Sequence, residues 1–177
     1  MSEANITKRA FASAMKQLMQ AQPLSKITVG NICQECSLSR KSFYYHFIDK
    51  YDLMNWIFDT EFVNFQPFDH DDNGMLRLCT YLYNNRVFYR QALKTQGPNS
   101  FREHFRALCY PVFRNRLHAL MNISENDSFY IHFFTDALIT SLERWILQEV
   151  PAEPIEYVNQ LKKCLLILAS AAQQMPS

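Results

Sequence analysis

The sequence predicts an all-α fold: a small N-terminal head and a larger helical body. Three observations carry that prediction. Apolar residues recur at helical spacing along most of the chain, and no stretch alternates apolar with polar as a half-buried strand would. The chain holds only 3 Gly in 177 residues, too few for β-sandwich turns, Gly-rich phosphate loops or long flexible linkers. Hydrophobic residues make up 48% and aromatics 14%, ample for a sizeable core. The expected division is residues 1–50 for the head and 51–177 for the body.

The elements follow in order. From residue 5 or 7 to 20, Ala10, Phe11, Ala14, Met15, Leu18 and Met19 form a one-sided apolar stripe. Pro23 ends that helix. The next stretch, 27–53, organises the head. Thr28 is a good N-cap. Asn31 stands where a capping box would hold Glu or Gln, so an incomplete box is expected. Val29, Ile32 and Cys33 share one face, and 36–39 break the pattern into a tight turn. A second short helix spans 39–47, with Phe43 and Phe47 on its buried side. Asp49 caps a third, running to about residue 65, with Asp52 in its first turn.

The body begins after 67–74, a Pro-, Gly- and acid-containing loop. Helices are expected at 75–84 and 86–94, then a break at 95–100 with Gly97 past a helix end and Ser100 as the next N-cap. Residues 101–120 form a helix with Pro111 as a kink. After a break at 124–127 come two long helices, 128–149 and 155–174, separated by a turn at 151–154. The count is about nine helices.

The exposed arc of the 39–47 helix points to chemistry. Arg40, Lys41, Ser42, Tyr44, Tyr45 and His46 offer donors and aromatic faces, and residues 37–48 contain no carboxylate. Such groups donate to phosphates and reach base edges. With Thr28, Ser39 and Lys50 they make the candidate DNA-binding set. Charge agrees: residues 1–55 hold seven basic and four acidic side chains, a balance of +3, while 56–177 hold eleven and thirteen, a balance of −2.

At these residues the chain resembles the TetR family of bacterial transcription regulators. The matching residues are Thr28-Val29, Ile32, then 39–47 with Phe43-Tyr44-Tyr45-His46-Phe47, then Asp49-Lys50 and Leu53. Gly30 departs from the pattern, because it offers no side chain where the family often places a polar group near a phosphate. Phe88-Tyr89, Ala92-Leu93, Gly97 and Asn99-Ser100-Phe101 are similar to the branch that includes dihydroxyacetone kinase operon activators. The resemblance implies a homodimer on double-stranded DNA and a small-molecule effector in the body. It also implies a helix from 49 to about 65 acting as a lever between head and body, with Trp56 and Ile57 packed against both. The alternative is a co-regulator whose body takes a protein partner instead.

The body's own residues leave the effector and dimer surfaces open. Phe88, Phe101, His104, Phe105, Tyr110 and Phe133 are the candidate effector-pocket residues, although most body aromatics are expected to be core. Leu138, Leu142, Trp145, Leu161, Leu165 and Leu168 are the candidate dimer residues. Each stripe could instead be monomer core, but a helix apolar on most of its circumference has to bury both sides, which favours an extra partner.

Other chemistries find little support. Cys33-x-x-Cys36 lacks a second ligand pair for zinc and reads as core packing. His70 among Asp69, Asp71 and Asp72 reads as a solvated acidic loop. His118 and His132 are scattered, and no nucleophile–base spacing or cofactor motif is present. No enzyme activity, metal or cofactor is expected. Lys8, Arg9 and Lys16 interrupt any signal-like segment, and no apolar run reaches the ~20 residues of a membrane span. Five cysteines without framework spacing suggest reduced thiols in a cytoplasm.

Overall fold

The first helix, α1 (Glu3–Ala21), buries the stripe read from the sequence: Phe11, Ala14, Met15 and Met19 lie inside. Pro23 follows it, and a single 3-10 turn, Leu24–Lys26, buries Leu24. The head is completed by α2 (Val29–Glu35), α3 (Arg40–His46) and the start of α4 (Lys50–Phe62). Its centre is aromatic. The Phe11 ring meets Phe43 edge-on at 5.2 Å and Phe47 at 6.4 Å. Burying a Phe stabilises by about 1.5–3 kcal/mol, so this trio is the main force holding α3 against α1.

The body continues with α5 (Gly74–Asn84), α6 (Arg86–Ala92), α7 (Phe101–Met121), α8 (Ser128–Leu147) and α9 (Pro154–Gln173). The computed structural model describes residues 3–62, 73–95, 100–121 and 128–173, with side chains for all of these except 3, 119–121, 128 and 168–173. Among the described residues there are nine α-helices and no strand. Most of the expected 67–74 loop and the breaks at 95–100 and 124–127, with His70 and its acidic neighbours, fall outside them. Ser100 caps α7 as expected, its Oγ accepting from the Glu103 N–H at 3.4 Å. Pro111 sits within α7.

Two features set how the head joins the body. Phe58 of α4 packs its ring against Phe101 at 5.3 Å and Phe105 at 5.2 Å, both on α7, and against Tyr89 of α6 at 5.9 Å. Beside it, the Glu61 carboxylate accepts from Lys16 of α1, the Tyr81 phenol of α5 and the Tyr89 phenol of α6. The Lys16 ammonium also reaches Tyr81 Oη and Asn85 Oδ1, each at 3.3 Å. Burial, then the neighbouring carboxylate, pushes the Tyr89 phenol well above its ordinary pKa.

This corrects the expectation for Trp56. Its ring packs on Phe47 at 5.7 Å and lies under the Lys8 ammonium at 5.5 Å, both in the head. The reason is geometric: other sides of α4 carry the contacts to the body, through Phe58, Asp59 and Glu61. The expected incomplete capping box is also corrected. Asn31 Oδ1 accepts from the Thr28 N–H at 2.9 Å while Thr28 Oγ1 accepts from the Asn31 N–H at 3.2 Å. Asparagine's shorter side chain reaches the cap here, so the box is closed.

Candidate nucleic-acid interface

The turn between α2 and α3 is built from local chemistry. The Cys36 N–H donates to Ile32 O at 3.2 Å and the Leu38 N–H to Cys33 O at 3.0 Å, closing the end of α2. Ser37 between them has φ 56°. A non-glycine residue adopts this left-handed conformation only at a cost, held here by the flanking hydrogen bonds. Cys33 is buried and its neighbour Cys36 half-buried, with Cys36 Sγ donating to Ile32 O at 3.1 Å. Burial raises both thiol pKa values. Among the described residues no His, Cys, Asp or Glu group has the geometry to hold a metal ion.

Ser39 then starts α3, its Oγ accepting from the Ser42 N–H at 3.0 Å. Phe43 is fully buried, which fixes the helix's rotation. The opposite arc faces outward: Lys41 and Tyr44 are exposed, Tyr45 is 83% exposed, and Ser42 and His46 are half-buried. Ser39, Lys41, Ser42, Tyr44 and Tyr45 line one shallow depression. The Tyr45 ring meets His46 edge-on at 4.9 Å. Thr28 is exposed at the start of α2.

Two members of the candidate set stand apart. Lys50 turns inward: its ammonium donates to Leu24 O at 2.8 Å and Ile27 O at 2.7 Å, satisfying the carbonyls around the 3-10 turn. An ammonium has three donors, so one is left for an outside acceptor. Burial lowers the Lys50 pKa. Arg40 is exposed, but its guanidinium turns towards α2 and it does not line the depression. Sequence reasoning gave no sign of either posture, because both depend on which backbone lies across the turn. It also passed over Ile48, which is 83% exposed directly after α3.

The body residues fall differently from expectation. Phe88, Phe101 and Phe105 are buried, and Phe101 and Phe105 pack against Phe58, so these rings contribute to the core. His104 is paired with Asp59 of α4. Tyr110 stacks on His132 across α7 and α8. Phe133 is 57% exposed, beside exposed Phe129 and Tyr130. Helical spacing alone could not tell these rings' inner from outer positions, since apolar groups cover most of each helix.

Of the dimer candidates, Leu142 and Trp145 are buried within the protomer. Trp145 stacks on Tyr157 at 4.6 Å and donates its indole N–H to Ala152 O at 2.9 Å, so the fold of one chain consumes it. Leu138 and Leu161 are half-buried, Leu165 is exposed, and the Leu168 side chain lies outside those described. Leu166 and Ile167, not anticipated, are 71% and 56% exposed. The Glu143 carboxylate on α8 is buried and paired with Arg106 at 2.8 Å and Arg102 at 3.7 Å, both on α7. Helices α7 and α8 are thereby joined inside the protomer.

Comparison with known proteins agrees with this layout. Residues 12–56 match the family described as bacterial regulatory proteins, tetR family. Residues 69–166 match a transcriptional regulator C-terminal region of the same family. A relative from Lactococcus lactis subsp. lactis (strain IL1403), the HTH-type dhaKLM operon transcriptional activator DhaS, is 33% identical over 95 residues. That match spans about half of each protein, 51% of this chain and 51% of the relative. Among solved structures, a dihydroxyacetone kinase operon activator DhaS superposes with TM-score 0.67 at 24% identity, covering 92% of this chain and 97% of that one. A TetR transcriptional regulator from Streptococcus agalactiae 2603V gives TM-score 0.66 at 21% identity, covering 89% and 92%. At those identities the two structures speak for the fold alone.

The chain therefore belongs to the TetR family of transcription regulators. Members of that family bind DNA and act as dimers, and they are regulators, not enzymes. Among the described residues no helix is long and apolar enough to cross a membrane.

Proposed function

We propose that this chain is a cytoplasmic homodimeric regulator that binds a roughly palindromic operator through α3. In this reading residues 1–50 are the DNA-binding head and 51–177 the effector and dimerisation body. The observation that carries it is the outward arc of α3: Lys41, Ser42, Tyr44 and Tyr45 gathered on one surface, free of carboxylates, on a helix locked by buried Phe43. Helix-turn-helix dimers place two such helices in successive major grooves about 34–36 Å apart. The exposed Leu165, Leu166 and Ile167 of α9, with half-buried Leu138 on α8, supply apolar surface for a second copy. A small-molecule effector in the body would act by binding two arrangements of the heads unequally, with a coupling of about 1–3 kcal/mol.

A second reading gives the body a protein partner. It draws on the rings of Phe101 and Phe105 filling the core while Phe129, Tyr130 and Phe133 face outward. Both readings share one experiment. Duplexes selected by the purified protein are titrated with the dialysable and the protein fractions of a cell extract. A change in affinity caused by the dialysable fraction supports the effector. A change caused only by the protein fraction supports the co-regulator. If no duplex is selected, DNA recognition by α3 fails.

A further inference from the structure

We infer that Arg40 is a phosphate clamp whose position is set by Gly30, and not one of the base-reading residues of α3. The inference rests on the reading of α3 as the recognition helix. A Cβ built on Gly30 would lie 2.5 Å from a guanidinium nitrogen of Arg40, 3.4 Å from its central carbon and 3.5 Å from Nε. The guanidinium therefore lies directly over the α2 backbone, in the space that any other residue at 30 would fill. The Arg40 charge is also felt at Cys33, one helical turn further along the same side of α2, where it opposes the rise in the thiol's pKa caused by burial.

Three facts give this posture a function. First, Arg40 is exposed and has no carboxylate partner among the described residues. Second, it does not line the depression formed by Ser39, Lys41, Ser42, Tyr44 and Tyr45, so it does not share the surface offered to base edges. Third, in a helix-turn-helix the first helix crosses the DNA backbone while the second enters the groove. A guanidinium lying along α2 is thus placed where the phosphates pass, and its planar fork suits a phosphate's oxygens. The α2 side chain missing at Gly30 is replaced from the neighbouring helix by Arg40. Gly30 is then a positioning residue.

The test is a salt titration of duplex binding with wild type, Arg40→Ala, Gly30→Ala and the double variant. Each is run on a duplex selected by the wild type and on a scrambled duplex. Arg40→Ala should weaken both complexes by the same factor, with the slope of log K against log salt reduced by about 0.9 for each head bound. Gly30→Ala should shift binding the same way, and the double variant should be no weaker than Arg40→Ala alone. Gly30 lies in the first turn of α2, where Ala gains less over Gly than it does mid-helix, and a Cβ there meets only the flexible end of Arg40, so Gly30→Ala should raise the melting temperature slightly while lowering affinity. Opposite signs separate positioning from damage to the fold. The clamp is overturned if Arg40→Ala keeps the wild-type slope and loses preference at one base position. The role of Gly30 is overturned if Gly30→Ala leaves affinity unchanged, or if the two effects simply add. Wild-type protein that selects no duplex would instead remove the recognition reading beneath both.

Discussion

Replacing Glu61 by Gln tests how firmly head and body are joined. In the native protein one carboxylate on α4 serves donors from three other helices: the Lys16 ammonium of α1, the Tyr81 phenol of α5 and the Tyr89 phenol of α6. The Lys16 and Glu61 side chains are 23% and 27% exposed, so water reaches the pair without dissolving it. Glutamine keeps the shape, but its amide NH₂ faces donors instead of accepting from them. Lys16 loses its counter-charge, and the NH₂ must face either the Lys16 ammonium or the two phenols, which share one carboxylate oxygen. A hydrogen bond to a charged group contributes about 1.5–3 kcal/mol, and breaking a fully buried pair costs about 3–5 kcal/mol. Partial exposure places this case at about 2 kcal/mol. For a chain of this length that lowers the melting temperature by about 4–8 °C. The assay is urea unfolding of wild type, Glu61→Gln, Tyr89→Phe and the double variant. The cycle should return a coupling energy of at least about 0.5 kcal/mol between the two positions. A Glu61→Gln loss under about 0.5 kcal/mol, or strict additivity with Tyr89→Phe, would refute the reasoning.

Three further predictions concern the core, the pH response and the assembly. Phe43→Ala removes the ring that pins α3 to Phe11 and Phe47 and should destabilise the protein by about 3–5 kcal/mol in chemical unfolding. A loss under about 1 kcal/mol would mean that α3 is held by other contacts. Burial pushes the Cys79 thiol from 9.0 up to about 12, so its contribution to stability is complete below pH 9 and is lost as pH rises towards about 12. Cys79→Ala should therefore flatten the fall in urea midpoint between about pH 8 and about pH 10.5, and an unchanged slope would contradict the assignment. Leu166→Lys with Ile167→Lys places two charges on the exposed stripe of α9 and should convert a dimer to monomer in sedimentation velocity. A variant that remains dimeric would move the interface elsewhere.

The residues that carry short-range physics were legible from the sequence. Thr28, Asp49 and Ser100 cap helices as the sequence predicts, because capping depends only on the next turn of chain. Phe43 and Phe47 face inward as their i, i+4 spacing requires, which leaves Lys41, Tyr44 and Tyr45 outside. What escaped depends on packing across the chain. Trp145 was read as interface, yet it is enclosed by Tyr157 and the 151–154 turn of its own chain. Phe101 and Phe105 are pocket candidates by sequence, while Phe58, more than 40 positions earlier in the chain, packs against both rings. Lys50 belongs to the DNA-contact set by its charge and its place in the family signature, while two carbonyls more than 20 residues upstream take two of its three donors. A one-dimensional pattern states that a face must be buried, not which partner buries it.

The central claim is that the outward arc of α3 reads DNA. It is tested most directly by selecting duplexes from a random pool with the purified wild type and with Tyr45→Ala in parallel. Tyr45 is 83% exposed, so its removal should change stability by no more than about 0.5 kcal/mol. The wild type should enrich a near-palindromic site whose half-site centres lie about 10 base pairs, or a small multiple of that, apart. The variant should lose the enrichment at defined positions of each half-site while remaining folded. A wild type that enriches no sequence, or a variant that enriches the same site equally well, would contradict it.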